Sequence, residues 1–204
     1  MRIRTHTNPY NYYEKMQPLL LNQIFDNPNQ PLDLEIGFGR GQFLRHWAKK
    51  YLNRNIIGIE VRKNITELLQ KRICDTPLVS NTHIIHGSGE RLLADSLPDH
   101  CLDTIFIFHP DPWFKKKHHK RRLVRTNTVK LITQKLKPGG TLHVSTDVKI
   151  LWDAMLDTLT SSTELELVSN HHFWKEDYTS HWHDFSEKDQ RNVHFNSFIK
   201  KVSA

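Results

Sequence analysis

The sequence predicts an α/β fold, a doubly wound and mostly parallel sheet with an antiparallel edge strand, and three observations carry that prediction. Short apolar runs of strand length alternate with segments whose apolar residues recur at three- and four-residue spacing. The first run empties into a cluster of glycines that opens directly into a helical pattern. No repeat, low-complexity stretch or Gly/Ser linker divides the 204 residues, so they read as one domain, 1–204, with a full core. Such alternation puts helices on both faces of the sheet and ligands beyond the carboxyl ends of its strands.

Residues 1–30 form a polar and aromatic segment ahead of the first core strand, Leu32 to Ile36. A helix over Gln42 to Tyr51 follows, then a strand at Ile56 to Ile59 and a helix over Lys63 to Ile73, whose apolar seam includes Ile65, Leu68, Leu69 and Ile73. Strands at His83 to Ile85 and Leu102 to Phe108 come next. One long helix is then expected over His119 to Leu136, stopped by Lys137, Pro138, Gly139 and Gly140, with a cation in its last turn and glycine beyond. A strand at Thr141 to Ser145 completes the parallel set, and the interrupted run from Val193 to Ile199 reads as the edge strand. Between them, Asn170 to Asp189 is rich in aromatics and histidines (His171, His172, Phe173, Trp174, Tyr178, His181, Trp182, His183) that would cap a site or cover the sheet.

Composition narrows the function classes. No apolar run approaches the roughly 20 residues that span a bilayer, and the N-terminus lacks the apolar core of a signal peptide, so a cytoplasmic protein without membrane contact is expected. Cys74 and Cys101 lack a C-x-x-C spacing and read as reduced core thiols. The 14 histidines include pairs such as His118 and His119, but no Cys or carboxylate constellation supports them, and no metal is expected. The formal charge of +7 has an address. Lys115, Lys116, Lys117, Lys120, Arg121, Arg122 and Arg125 lie within eleven residues that contain no acid, while the rest of the chain balances at 22 of each sign. A solvated charge run is one reading of that segment; a grip on a polyanion is the other.

Two strand ends carry the chemistry. Leu32-Asp33-Leu34-Glu35-Ile36 runs into Gly37-Phe38-Gly39-Arg40-Gly41, a tight turn that lets a nucleotide-like ligand approach the backbone. The dinucleotide fingerprint fails, because its third glycine position holds Gln42. The acid at Glu35 would repel a pyrophosphate but suits the cationic α-amino and sulfonium groups of S-adenosylmethionine. Glu60, about 20 residues past the glycines at the end of the second strand, is placed to accept the ribose hydroxyl protons. The other strand end is Phe108-His109-Pro110-Asp111-Pro112-Trp113-Phe114, where two prolines hold Asp111 with little freedom left to lose. The first and fourth strands of a doubly wound sheet are neighbours, so Asp111 is expected to face the glycine turn. A polyanion on the basic run would bring a base over Asp111, with Trp113 and Trp182 available to stack on it.

These residues resemble the tRNA (guanine-N7-)-methyltransferase family over nearly the whole chain. The resemblance rests on Glu35 to Gly41, on Ile57-Gly58-Ile59-Glu60, and above all on Asp111-Pro112-Trp113-Phe114-Lys115-Lys116-Lys117-His118-His119-Lys120-Arg121-Arg122. Pro138-Gly139-Gly140, Ser145-Thr146-Asp147 and Arg4-Thr5-His6-Thr7-Asn8-Pro9 extend it. It implies a Rossmann-like methyltransferase that carries a methyl group from S-adenosylmethionine to N7 of a variable-loop guanosine in tRNA, acting without an obligatory protein partner and with a homodimer left open. Carried over by position, Asp111 is the catalytic acid; Glu35, Gly37, Gly39, Gly41, Glu60 and Ser88 hold the cofactor; Lys115, Asp147, Thr179 and Trp182 contact the substrate; and Lys117, Lys120, Arg121 and Arg122 touch RNA. The chain departs from the family twice. Ser88-Gly89 stands where an Asp-Ala pair is usual, and Trp182 stands where a glutamate helps hold the guanine, with Asp184 nearby. A methyltransferase for another substrate and a non-catalytic RNA-binding relative are the competing readings.

Overall fold

The computed structural model describes residues 7–12, 14–75, 80–170, 172–179, 189 and 191–202, the side chains of 72–75 excepted. In chain order the elements are β1 (Leu32–Ile36), α1 (Gln42–Lys50), β2 (Asn55–Glu60), α2 (Lys63–Asp75), β3 (Thr82–His86), β4 (Leu102–Phe108), α3 (Thr126–Lys135), β5 (Leu136–Thr146), α4 (Lys149–Thr160), β6 (Leu165–Val168) and β7 (His194–Lys200). They build one seven-stranded sheet in the order β3-β2-β1-β4-β5-β7-β6. The first five strands are mutually parallel, and β7 runs antiparallel to both β5 and β6. As the sequence predicts, β1 pairs with β4, with Leu34 opposite Ile105 and Glu35 opposite Phe106.

Alternation along the strands feeds two cores. Leu34, Ile36, Ile57, Ile59, Ile105, Ile107, Leu142 and Val144 pack on one face with α3 and α4. On the other face Ile56, Phe106 and Phe108 meet Phe38, Phe43, Leu44 and Trp47 of the glycine turn and α1, together with Phe173. Asp33 and Glu35 are the charged residues that β1 buries on this side, and Asp33 is the partnered one. It accepts hydrogen bonds from Trp47 Nε1 (2.8 Å) and Arg54 Nε (2.8 Å), so its burial is compensated.

Three expectations change. The single helix over His119 to Leu136 is divided: Lys116–Arg121 is a 3₁₀ turn, Arg122 is extended, and α3 starts at Thr126. A continuous α-helix would stack like charges at i,i+3 and i,i+4 through the basic run, which disfavours it there. The stop at Lys137-Pro138-Gly139-Gly140 falls inside β5, across a register shift between Leu102 and Thr104. The run at Val193 to Ile199 forms β7, an inner strand; the edge is β6, whose Glu166 and Leu167 are exposed and give little apolar pattern to read. Cys101 is half-buried against the core and burial pushes its thiol up to about 11, so it stays protonated, while the Cys74 side chain lies outside the described residues. No helix among the described residues is long and apolar enough to cross a membrane.

Candidate active site

A cleft of about 330 Å³ opens at the carboxyl ends of β1, β2 and β4. Glu35, Gly37, Gly39, Glu60, Ser88 and Asp111 line it together with Lys120, Arg121 and Arg122. The N-terminal segment reaches the same cavity through Thr7, Pro9 and Tyr10, and the Tyr10 hydroxyl donates to the Lys120 carbonyl (2.7 Å). The β1–β4 pairing is what brings the glycine turn and the Asp111 turn to one cavity.

Glu35 is the electrostatic anomaly of the cleft. It is buried on the aromatic face of β1, the Leu44 backbone N–H donates to it, and its Oε2 has no hydrogen-bond partner among the described residues. Burial, with the nearby Glu60 charge adding to it, pushes its carboxyl up to about 8. An unpartnered buried carboxylate oxygen at a cavity wall fits a cationic ligand group, and the α-amino group of S-adenosylmethionine has the required charge. Glu60 is differently placed. Its Oε1 accepts from Arg62 N and Nε (3.0 Å each), and its Oε2 from Gly39 N (3.0 Å) and Arg62 Nη2 (2.9 Å). A ribose diol on Glu60 would share or displace the Arg62 guanidinium, which also senses the Asp111 charge.

Gly37 and Gly39 turn at φ +84° and +55° and leave room for a ligand at the backbone. Gly41 serves packing instead. It precedes α1 at φ +69°, and a Cβ there would lie 2.5 Å from Leu69 Cδ2, so its missing side chain lets α2 close onto the turn. It does not line the cavity. Ser88 does, and Gly89 beside it is sterically confined: a Cβ there would fall 2.3 Å from Ile36 Cγ2.

Asp111 sits half-buried in a turn braced from both sides. His109 and Trp113 flank it at φ +47° and +43°, a left-handed geometry uncommon for residues other than glycine. Trp113 is buried, with the Arg121 guanidinium 4.9 Å above its ring and His118 at its edge, so it does not offer a face for a base; the exposed aromatic of the segment is Phe114, at 61%. The basic run divides by role. Lys115, Lys116, Lys117 and Lys120 are exposed. Arg122, by contrast, is 7% exposed: its Nε donates to the Pro112 carbonyl (2.8 Å) and its Nη2 to His119 Nε2 (3.0 Å), bracing the turn from below. Arg125 pairs with Glu90 (2.5 Å), tying the run to the short helix Gly89–Arg91 after β3.

Lys115, Lys117, Asp147 and Thr179 are not among the residues lining the cleft. Thr179 accepts from Gln42 Nε2 (3.0 Å), and Gln42 does line it. The Asp147 side chain is fully buried beside His109 and Arg191. Trp182 and Asp184, like Arg4, Thr5, His6, His171, His181 and His183, lie outside the described residues. Sequence reasoning assigns no site role to Arg62, His109 or Gln42, and names Tyr178 only as one of the aromatics that would cap a site. Only Arg62 carried a local signal, two residues after Glu60; the others meet their partners across 38 to 137 residues of chain. No group of three or more His, Cys, Asp or Glu side chains able to hold a metal ion occurs among the described residues.

Comparison with known proteins decides the family. Residues 29–202 match the family model described as "Putative methyltransferase". The chain belongs to this methyltransferase family. Among relatives, it is 42% identical over 140 residues to a tRNA (guanine-N(7)-)-methyltransferase of Colwellia psychrerythraea, the match taking in 68% of this chain and 56% of that one. A protein of the same name from Pasteurella multocida is 37% identical over 172 residues, covering 82% of this chain and 65% of its own. The chain thus spans a little over half to about two thirds of the curated relatives it matches. Solved structures with the same fold include an aminoglycoside resistance methyltransferase (TM-score 0.55, 17% identity, 88% of this chain and 90% of that one) and an rRNA methylase from Streptococcus thermophilus (TM-score 0.58, 14% identity, 89% and 93%).

Proposed function

We propose that this protein transfers a methyl group from S-adenosylmethionine to N7 of a guanosine in tRNA, with the variable loop as the site. The observation that carries the reading is one cavity holding both a buried, unpartnered Glu35 oxygen and the braced Asp111, with Lys120 and Arg121 at its rim. The relatives' shared name supports the substrate class.

Glu35 would pair with the donor's α-amino group, Gly37 and Gly39 would let it approach the backbone, and Glu60 would accept from its ribose hydroxyls. When bound, the donor supplies an electrophilic methyl on a sulfonium. Guanine N7 already carries an in-plane lone pair, so no proton has to leave first, and the residues act mainly by alignment, which contributes several kcal/mol. Positive charge develops on the imidazole part of the base, and the Asp111 carboxylate stabilises it at short range in a partly desolvated site. Lys117, Lys120 and Arg121 contact phosphates, while Arg122 holds the turn. On this reading the enzyme acts in the cytoplasm without an obligatory protein partner, as a monomer or a homodimer. Replacing Asp111 by Ala is expected to abolish methyl incorporation into unmodified tRNA while leaving RNA affinity within about twofold; near-normal turnover would contradict the assignment.

A further inference from the structure

Strain and hydrogen bonding meet at His109. The residue sits at φ +47° immediately before Pro110-Asp111-Pro112, and a left-handed residue other than glycine persists only where its surroundings hold it there. Its backbone N–H donates to the Ser145 carbonyl (2.8 Å), continuing the β4–β5 ladder past the end of β4. Its ring is clamped at both nitrogens: Nδ1 lies 3.2 Å from Asp147 Oδ1 and Nε2 2.9 Å from the Tyr178 hydroxyl. The same hydroxyl is 2.9 Å from Ser145 Oγ. The ring is thus tied at both edges, to the Asp147 carboxylate on one side and to the Tyr178 hydroxyl on the other.

Asp147 is spent on this arrangement. Both the His109 and Asp147 side chains are fully buried, and the second Asp147 oxygen is held by Arg191. A carboxylate so engaged would have to abandon two partners to touch a base.

We propose that Asp147 and His109 are a positioning pair: Asp147 acts on the reaction through the His109 ring, which fixes the left-handed turn that aims Asp111 into the cleft. This differs from the direct substrate contact that the family resemblance implies for Asp147, and it rests on the reading of Asp111 given above. Misaiming a reacting group by about 1 Å can cost on the order of a hundredfold in rate, so the pair should be felt in kcat and little in binding.

A double-mutant cycle tests it, with unmodified tRNA and labelled S-adenosylmethionine as substrates. His109→Gly allows the left-handed backbone but removes the ring; His109→Asn tolerates that backbone and keeps an N–H directed at Asp147. His109→Gly and Asp147→Ala are each expected to lower kcat on the order of a hundredfold. The KM for tRNA and the calorimetric affinity for S-adenosylhomocysteine should stay within about twofold, and the latter also reports that the variants fold. The double variant should be no slower than the worse single one, and His109→Asn should recover most of kcat. Additive losses would overturn the pairing, as would a raised KM with kcat kept in Asp147→Ala, or a lowered melting temperature with kcat unchanged in His109→Gly. Failure of the parent reading is separate: wild-type protein would then form no 7-methylguanosine, or Asp111→Ala would keep turnover.

Discussion

Glu35 shows how one misplaced charge can announce a ligand. Its carboxyl titrates near 8 against an ordinary 4.5, so the folded, ligand-free protein keeps a proton there that the unfolded chain has already released. Stability from this group is therefore greatest below pH 4.5 and is lost as pH climbs towards 8. His143 acts on the acid side. Burial holds it down to about 3, so the unfolded chain gains a proton that the fold refuses as pH falls below 6.5. His83 and His118 are also held down by burial, so the contrast between wild type and Glu35→Gln between pH 6.5 and 8 is what isolates Glu35. There the melting temperature of ligand-free protein should fall more in the wild type than in Glu35→Gln, while S-adenosylhomocysteine binding should tighten with rising pH and release a proton. Equal slopes in both proteins, followed by differential scanning fluorimetry, would mean that Glu35 is already ionised without ligand.

Gly89 makes a second prediction at this scale. Gly89→Ala should cost about 1–3 kcal/mol in urea unfolding, because its Cβ would meet Ile36 Cγ2 at 2.3 Å. Adding Ile36→Leu, which removes that branch, should return part of the loss; no relief would point to a different clash. The sequence shows glycine at this position, but the facing β1 side chain that crowds it is visible only once β1 and the short helix after β3 are in contact.

Among the elements, the basic turn was legible in charge and illegible in shape. Seven cations without an acid identify the segment, yet the apolar spacing of Leu123, Val124, Leu131 and Ile132 suggests one long helix where a 3₁₀ turn and an extended Arg122 precede α3. Periodicity does not register the two devices that set the path, the Arg122 bond to Pro112 and the Arg121–Trp113 stack. The division of labour predicts two classes of variant. Lys117→Gln and Lys120→Gln should each lower the log-log salt slope of tRNA binding by about one, as phosphate contacts do. Arg122→Gln should leave that slope nearly unchanged and instead destabilise the protein, because its guanidinium is buried on a carbonyl. A full unit of slope lost in Arg122→Gln would place that side chain on RNA.

At the scale of the molecule, strands β1, β2 and β4, the two turns they carry and the adjacency of β1 and β4 could be read from local pattern, because a parallel doubly wound sheet leaves few topologies open. That adjacency puts Glu35 and Asp111 on one cavity. Pairings spanning long stretches of chain were out of reach: β7 between β5 and β6, and the His109–Tyr178 contact across 69 residues, have no periodic signature. The central claim is that this cavity joins a methyl donor held by Glu35 to a guanine held over Asp111. Incubation with unmodified tRNA and methyl-labelled S-adenosylmethionine, followed by nucleoside analysis, tests it most directly. The account predicts label in 7-methylguanosine, absent with Asp111→Ala; label in another nucleoside, or none with the wild-type protein, would contradict it.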